Sequence, residues 1–275
     1  MNNFVKRTLS GAVYVSLIVG TILLSQFTFA IFFALVSGWA VYEFHKLTNK
    51  QNDVRVNNGL AVSASVLLFA CSYVNASGLF KFPVFSIYGL YLILIIISEL
   101  YLKKNNPLHN LAYFVLGQAS IALPFSLLNN IIFIQGLQPM ILLAVFVSIW
   151  VNDTGAYLVG VTIGKHRLFE RISPKKSWEG FIGGAFFALI PGYIFSLYIK
   201  DLSLIQWFIF SEIIVIFGTF GDLTESLLKR TLNVKDSGNV IPGHGGLLDR
   251  FDSMLLAAPA VYIFLSMLFS STLTH

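Results

Sequence analysis

Residues 235–252 read KDSGNVIPGHGGLLDRFD, and five of these 18 side chains are charged in a chain that is only 11% charged. Carboxylates suit a hard cation such as Mg²⁺, which keeps waters and is usually held by one or two carboxylates together with substrate phosphates. Lysine and arginine neutralise phosphate oxygens. Glycines such as Gly245 and Gly246 let backbone amides approach an anion closely. Together these residue types predict metal-assisted phosphoryl or nucleotidyl transfer.

Two other segments carry more polar chemistry than their surroundings. Asp153 stands within an apolar run and precedes a basic loop, Lys165 to Lys176, while Asp222 and Glu225 lie near the end of a later apolar run. Acids at membrane depth are costly unless paired, hydrated or bound to a cation, so each is a functional candidate. Four carboxylates can therefore share one cytoplasmic-facing pocket: Asp153, Asp222, Asp249 and Asp252.

Each feature also has a structural explanation. The sequence Pro-Gly-His-Gly-Gly at 242–246 can be a loop that breaks two helices, and His244 can be a hydrogen-bonded structural residue. Asp249 and Asp252 can be a charge pair at a helix N-terminus, and Lys229 and Arg230 can snorkel. For three further acids in or near apolar runs, helix–helix pairing is the favoured interpretation: Glu43, Glu99 and Glu212.

The elements that must position these residues are membrane helices. The chain has 275 residues, 56% of them hydrophobic, against about 45–50% in soluble domains. Continuous apolar runs predict helices, because lipid cannot satisfy an exposed backbone. We expect an all-α, polytopic integral membrane protein with about nine transmembrane helices. The predicted spans lie near 9–25, 29–45, 59–76, 84–102, 110–128, 138–158, 179–199, 203–221 and 254–271.

The basic residues predict the orientation. With a cytoplasmic N-terminus, nine crossings place all but two of the 18 lysines and arginines inside, the exceptions being Lys81 and Lys200. The C-terminus then lies outside. The net charge of +5 is explained by this orientation and needs no nucleic acid. We expect one integral domain, with N-terminal helices in 1–137 and the chemistry-bearing helices in 138–275.

The polar motifs resemble a known family. The run Ser226-Leu-Leu-Lys229-Arg230, then Lys235-Asp236, then Pro242-Gly-His244-Gly245-Gly246-Leu-Leu-Asp249-Arg250-Phe-Asp252 is similar to the signature of the phosphatidate cytidylyltransferases, or CDP-diacylglycerol synthases. Upstream, Asp153-Thr-Gly-Ala-Tyr157 and Ser173-Pro-Lys175-Lys176-Ser-Trp178-Glu179-Gly180 also resemble that family. The resemblance covers roughly residues 150–255, whereas the first five predicted helices match only as generic spans.

The resemblance implies that CTP and phosphatidic acid condense to CDP-diacylglycerol and pyrophosphate in a reaction that needs Mg²⁺, with a second metal ion left open. By motif position, Asp222 and Asp249 hold the metal. A phosphatidate oxygen attacks the α-phosphorus of CTP, and His244 is assigned no proton transfer because the phosphate monoester is already ionised. The residues implied in catalysis are Asp222, Asp249, Lys229, Arg230, Lys235, Asp236, Arg250 and Asp252. Those implied in substrate binding are Ser173, Lys175, Lys176, Asp153, His244, Gly245 and Gly246.

Two alternatives stay open at this point. A dolichol-kinase-like transferase would share the phosphate and metal chemistry but use another acceptor, and a transporter would bind a coupling ion at Asp153 and Glu212. The expected location is a bacterial inner membrane with the site facing the cytoplasm. Members of this family are often homodimers, and glycines such as Gly180, Gly183 and Gly184 can pack either between or within subunits.

Overall fold

The computed structural model describes residues 3–238 and 245–272. Helices dominate this part of the chain, and a short antiparallel β-hairpin is the sheet within it. The first six helices are α1 (Asn3–Leu24), α2 (Gln26–Thr48), α3 (Asn58–Ser77), α4 (Phe85–Tyr101), α5 (Pro107–Gly117) and α6 (Leu123–Ile132). A π-helical turn, Gln118–Ala122, joins α5 to α6. The later elements are α7 (Pro139–Ile163), β1 (Arg167–Phe169), β2 (Ser173–Ser177), α8 (Trp178–Tyr198), α9 (Leu204–Thr231) and α10 (Leu248–Thr272).

The chain forms two compact units. The first comprises Met1–Leu137 and Asp236–Arg250, and the second comprises Gln138–Lys235 and Phe251–His275. The segment between α9 and α10, residues 232–247, is the signature loop. Its residues from Asp236 onward and the first turn of α10 group with the N-terminal helices. The expectation of a single integral domain stays a prediction.

The first unit is built from α1 to α6, with α2 and α3 at its centre. Short polar side chains begin its helices: the Ser25 side chain accepts from the amide of Phe27, and the Asn57 side chain accepts from that of Leu60. Gly78 ends α3 in the left-handed conformation, with φ of +67°. Aromatic rings, Phe29 and Phe33 among them, fill the interior.

In the second unit, α7 packs on α8 through residues that lack bulky side chains. A Cβ atom on Gly180 would lie 2.8 Å from the carbonyl oxygen of Ala156, and one on Gly183 would lie 2.5 Å from the Cβ of Val159. The two backbones therefore approach more closely than larger residues would permit. Of the two packing possibilities for these glycines, the structure shows the one within a single chain.

The predicted fold class is confirmed in its coarse form, with the hairpin as a small departure. Each of the nine predicted spans falls on an apolar helical segment, with α5, the π-helical turn and α6 counted as one segment. Within the described residues, seven helices are long and apolar enough to cross a membrane, whereas Thr8–Leu24 and Phe85–Tyr101 are shorter apolar helices. The number nine and the orientation of the termini stay predictions. Three helix ends lie six or more residues from the predicted bounds: α1 begins at Asn3 rather than at 9, α9 continues ten residues past 221, and α10 begins at Leu248 rather than at 254.

Candidate active site

A cavity of about 570 Å³ lies within the second unit, between α7, the hairpin, α8 and α9. That volume is in the range of small-molecule sites. Its charged lining consists of Asp153, Arg167, Lys175, Lys176 and Asp222. Its apolar lining includes Ala156, Tyr157, Val161, Leu168 and Phe181.

Asp222 is held from two sides. The Nζ atom of Lys176 lies 2.7 Å from its Oδ2, and the hydroxyl of Ser226, one turn later on α9, donates to its Oδ1 at 3.2 Å. The Asp222 and Lys176 side chains are both less than one-third exposed. Two opposite charges thus meet at the cavity wall in a partly water-shielded place, where their attraction is stronger than at an open surface.

A further carboxylate of the second unit, Asp252, lies near Asp222. The Asp252 carboxyl interacts electrostatically with Asp222, Asp153 and Lys229. The helices α9 and α10 approach closely here because position 221 is a glycine: a Cβ atom on Gly221 would lie 2.5 Å from the carbonyl oxygen of Asp252. Asp252 thus lies near two other acids and one lysine of the second unit.

The hairpin that carries Lys175 and Lys176 is fixed at its base. In the first turn of α8, Glu179 accepts hydrogen bonds from the backbone amides of Lys165 and His166, and its Oε1 lies 2.6 Å from Nδ1 of His166. The Ser177 side chain accepts from the amide of Gly180 and so caps α8. These contacts tie both ends of the hairpin to one helix N-terminus, which positions the two lysines at the cavity.

In the first unit, Asp249 organises the described part of the signature loop. Its Oδ2 accepts from the amide of Gly246 at 2.7 Å, from the amide of Ser237 at 2.9 Å and from the hydroxyl of Ser237 at 3.0 Å. Gly245 has φ of +84°, a conformation that L-residues other than glycine adopt rarely. The N-terminal helices also contact this region, since the Tyr14 hydroxyl donates to the carbonyl oxygen of Arg250.

The described acids can supply only part of the coordination of a magnesium ion. Among the residues that the structure describes, no three His, Cys, Asp or Glu side chains surround a common point. Asp222 offers carboxylate oxygens next to two other acids, and Lys176 already places a positive charge against it. This arrangement suits Mg²⁺ held by one or two carboxylates and completed by substrate phosphates and water, rather than a cage made by protein alone.

The residues singled out from the sequence fall into several groups. Asp153, Lys175, Lys176 and Asp222 line the cavity together. Ser173 starts β2 but is not part of the lining, Lys229 forms an ion pair with Glu225 at 2.5 Å, and Arg230 is exposed at the end of α9. Lys235 and Asp252 belong to the second unit, whereas Asp236, Gly245, Gly246, Asp249 and Arg250 belong to the first. His244, with Pro242 and Gly243, lies outside the described residues.

Three further observations concern residues outside the predicted set. Arg167 lines the cavity, although the sequence singled out only the basic loop around it and not this residue. Glu43 contacts the signature loop rather than only a neighbouring helix. Glu99 does pair as predicted, with Lys104 at 2.6 Å and with Asn110 of α5 at 3.3 Å. An acid in the middle of an apolar run was the available signal for Glu43, but it does not identify the partner.

Sequence comparison assigns the family. The model of the Cytidylyltransferase family matches residues 5–268, nearly the whole chain. The chain belongs to this family. The predicted enzyme class, a nucleotidyltransferase, is thereby confirmed, and the transporter alternative is rejected.

Named relatives of this cytidylyltransferase family member are bacterial. The chain is 37% identical over 201 residues to the phosphatidate cytidylyltransferase of Bacillus subtilis (strain 168), which covers 71% of this chain and 72% of the relative. It is 47% identical over 126 residues to the protein of that name from Staphylococcus aureus (strain COL), covering 45% and 48%. A third relative of the same name, from Staphylococcus saprophyticus, is 44% identical over 126 residues.

Proposed function

We propose that this protein transfers the cytidylyl group of CTP to phosphatidic acid, releasing pyrophosphate and forming CDP-diacylglycerol. The observation that carries the proposal is the cavity of the second unit, whose lining is charged on one part and apolar on another. The names of the relatives support the choice of substrates.

The lining matches an amphipathic phosphate better than a free nucleotide alone. Arg167, Lys175 and Lys176 bring positive charge to phosphate oxygens. Tyr157 and Val161 extend the cavity as apolar surface and are 69% and 68% exposed on α7, a helix long and apolar enough to cross a membrane. A lipid can therefore keep its acyl chains along the membrane helices while its headgroup reaches the charged part.

The proposed reaction is a direct displacement. An oxygen of the phosphatidate phosphate forms a bond to the α-phosphorus of CTP, and the bond from that phosphorus to the bridging oxygen breaks, so that pyrophosphate leaves with the electron pair. Lys175, Lys176 and Arg167 neutralise the two anions as they approach. Mg²⁺, when bound through Asp222, supplies further neutralisation of phosphate charge.

The other predicted residues keep their roles within this proposal. Asp249 would hold the metal ion, and Asp153 and Asp252 would orient cations or support the metal. Positive side chains of the signature bind the triphosphate or the lipid phosphate, and these are Lys229, Arg230, Lys235 and Arg250. The site faces the cytoplasm of a bacterial cell membrane, where CTP is available and where the basic loops are expected.

The test is transfer of label from α-labelled CTP into lipid by the purified protein, supplied with phosphatidic acid and MgCl₂. We expect labelled lipid from the wild-type protein, a rate lower by on the order of 100-fold in Asp222→Asn and Asp249→Asn, and no transfer after chelation with EDTA until Mg²⁺ is restored. Asp201→Asn, in the turn before α9, is the matched control and retains the wild-type rate.

A folded wild-type protein that leaves all label outside the lipid contradicts the proposal. The same assay with γ-labelled CTP then separates the remaining alternative, because a lipid kinase of the dolichol-kinase kind transfers that label and not the α-label.

A further inference from the structure

Glu43 is a buried acid in the N-terminal part of the sequence, where no site residue was predicted. It lies in the last third of α2 and is 2% exposed. Its two oxygens accept four hydrogen bonds: from Nε1 of Trp39 at 3.2 Å, from the hydroxyl of Ser237 at 3.0 Å, and from the amides of Leu247 at 3.0 Å and Leu248 at 2.9 Å. A buried carboxylate is tolerated only with partners of this kind, and three of the four come from the signature region.

Two of these donors belong to the start of α10. Leu248 is the first residue of that helix, and its amide and that of Leu247 are among those for which a helix supplies no partner. A negative charge at this end is also favoured by the helix dipole. Glu43 thus satisfies the N-terminus of α10 in the way that a capping side chain does, although it is supplied by a different helix.

The third donor connects Glu43 to Asp249. The Oγ atom of Ser237 lies 3.0 Å from Oε2 of Glu43 and 3.0 Å from Oδ2 of Asp249. A serine hydroxyl has one proton to donate, so the two acids share this donor. Any movement of Glu43 is therefore passed on to Asp249 through Ser237 and through the first turn of α10.

Two glycines explain how the loop comes so close. A Cβ atom on Gly238 would lie 2.6 Å from Oε1 of Glu43, and one on Gly246 would lie 2.6 Å from Oε2. Real Cβ atoms do not approach that closely, so a side chain at either position would force the carboxylate and the loop apart. The glycines are needed for the contact with Glu43, not only for the conformation of the loop.

We propose that Glu43 is the positioning residue for Asp249. It holds Ser237 and the N-terminus of α10, so that the Asp249 carboxylate keeps the orientation that it needs in the proposed reaction. The inference rests on the proposed function, because it assigns Glu43 to the same reaction. It gives the N-terminal helices a defined part in the chemistry.

The test compares Glu43→Gln with Glu99→Gln. Glu99 is a matched control because it is also a buried acid on a helix of the first unit, 9% exposed, with an ion pair and a hydrogen bond of its own, but its partners are Lys104 and Asn110. Glutamine keeps the shape of the side chain and replaces one acceptor oxygen by a donor, so it cannot accept all four hydrogen bonds.

The first readout is amide hydrogen exchange of peptides that cover residues 236–250, measured by mass spectrometry on the purified protein. Glu43→Gln should speed exchange in this segment by on the order of tenfold, because bonds to a charged acceptor are lost. Glu99→Gln should leave it at the wild-type rate. This readout does not depend on turnover.

The second readout is the rate of label transfer as a function of Mg²⁺ concentration. Glu43→Gln should lower kcat and raise the Mg²⁺ concentration for half-maximal rate several-fold, and Glu43→Asp, which keeps the charge, should recover part of both. Glu99→Gln should keep the wild-type Mg²⁺ dependence. If Glu43→Gln does not fold, Ser237→Ala replaces it, since that variant removes the connection to Asp249 and leaves Glu43 in place.

The two readouts test the Glu43 contact, its positioning role and the proposed function separately. Unchanged exchange at 236–250 in a folded Glu43→Gln protein overturns the contact, and faster exchange with an unchanged Mg²⁺ dependence overturns the positioning role. If the wild-type protein transfers no label at all, the proposed function has failed, and hydrogen exchange still decides whether Glu43 holds the loop.

Discussion

The Nζ atom of Lys176 and the Oδ2 atom of Asp222 lie 2.7 Å apart, one on a short hairpin and the other on a long membrane helix. The hairpin delivers the ammonium group to an acid of the cavity that also accepts a hydrogen bond from Ser226. The two side chains therefore act on each other before any substrate arrives.

This pair should behave as a unit in a double-mutant cycle. We expect Lys176→Gln and Asp222→Asn each to lower kcat/KM for label transfer, and the double variant to lose much less than the product of the two single losses, because each change removes the partner of the other. The measurement is kcat/KM for all four proteins under identical detergent and Mg²⁺ conditions. Losses that simply multiply would show that the two groups act independently.

Arg167 should contribute to binding of phosphatidic acid, whereas Arg171 on the same hairpin should not. Arg167 lines the cavity on β1, whereas Arg171 is exposed in the turn between β1 and β2. Arg167→Gln should raise the KM for phosphatidic acid several-fold, because a guanidinium that meets phosphate oxygens is lost. Arg171→Gln should leave that KM unchanged, so equal effects of the two variants would argue against Arg167 as a phosphate ligand.

The close packing of α7 on α8 predicts a strong dependence on glycine at position 180. Gly180→Ala should lower the free energy of unfolding by about 1–3 kcal/mol, because the new methyl group overlaps the carbonyl oxygen of Ala156. Gly89→Ala, in α4 with nothing within 4 Å of the added carbon, should be neutral or slightly stabilising. Thermal unfolding in one detergent compares them, and similar Tm values for both variants would count against the overlap.

Glu179 should control the order of the hairpin. Glu179→Gln removes an acceptor for the amides of Lys165 and His166, so the loop after α7 should loosen. Limited trypsin digestion should then cut at Arg171 several-fold faster than in the wild-type protein. Glu170→Gln changes an exposed acid in the turn of the same hairpin and serves as the control. Equal cleavage rates in the two variants would show that Glu179 does not hold the hairpin.

Most of the architecture follows from apolar runs because a membrane helix needs little besides length and hydropathy. The bounds that were wrong are polar ends. The helix α9 continues to Thr231 through charged residues that stabilise one another, as the ion pair between Glu225 and Lys229, one turn apart, shows. The helix α10 begins earlier than its apolar run because Asp249 is favourable in its first turn.

The candidate site was predictable where its residues stand in short polar motifs. Asp153, Lys175, Lys176 and Asp222 were all expected from local motifs, and the structure gathers them at one cavity. Arg167 was missed because it belongs to a loop with several basic residues and stands outside the short motifs that named individual site residues. The hairpin was missed because its strands of three and five residues are too short for a periodic pattern.

Glu43 shows the limit of such reasoning. Its partners Ser237 and Leu248 stand 194 and 205 positions further along the chain. An acid in an apolar run is expected to need hydrogen-bond donors, but which residues supply them depends on how α2 packs in three dimensions.

The contact between Glu43 and the signature loop also bears on how the N-terminal helices of this chain could be exchanged. An N-terminal segment such as residues 1–137 resembles an interchangeable membrane anchor, since generic apolar helices are abundant in other proteins. A foreign anchor of equal length and hydropathy would nevertheless leave the amides of Leu247 and Leu248 without their acceptor. A working chimaera of this chain is therefore expected to need a carboxylate at the position of Glu43 as well as the hydrophobic helices.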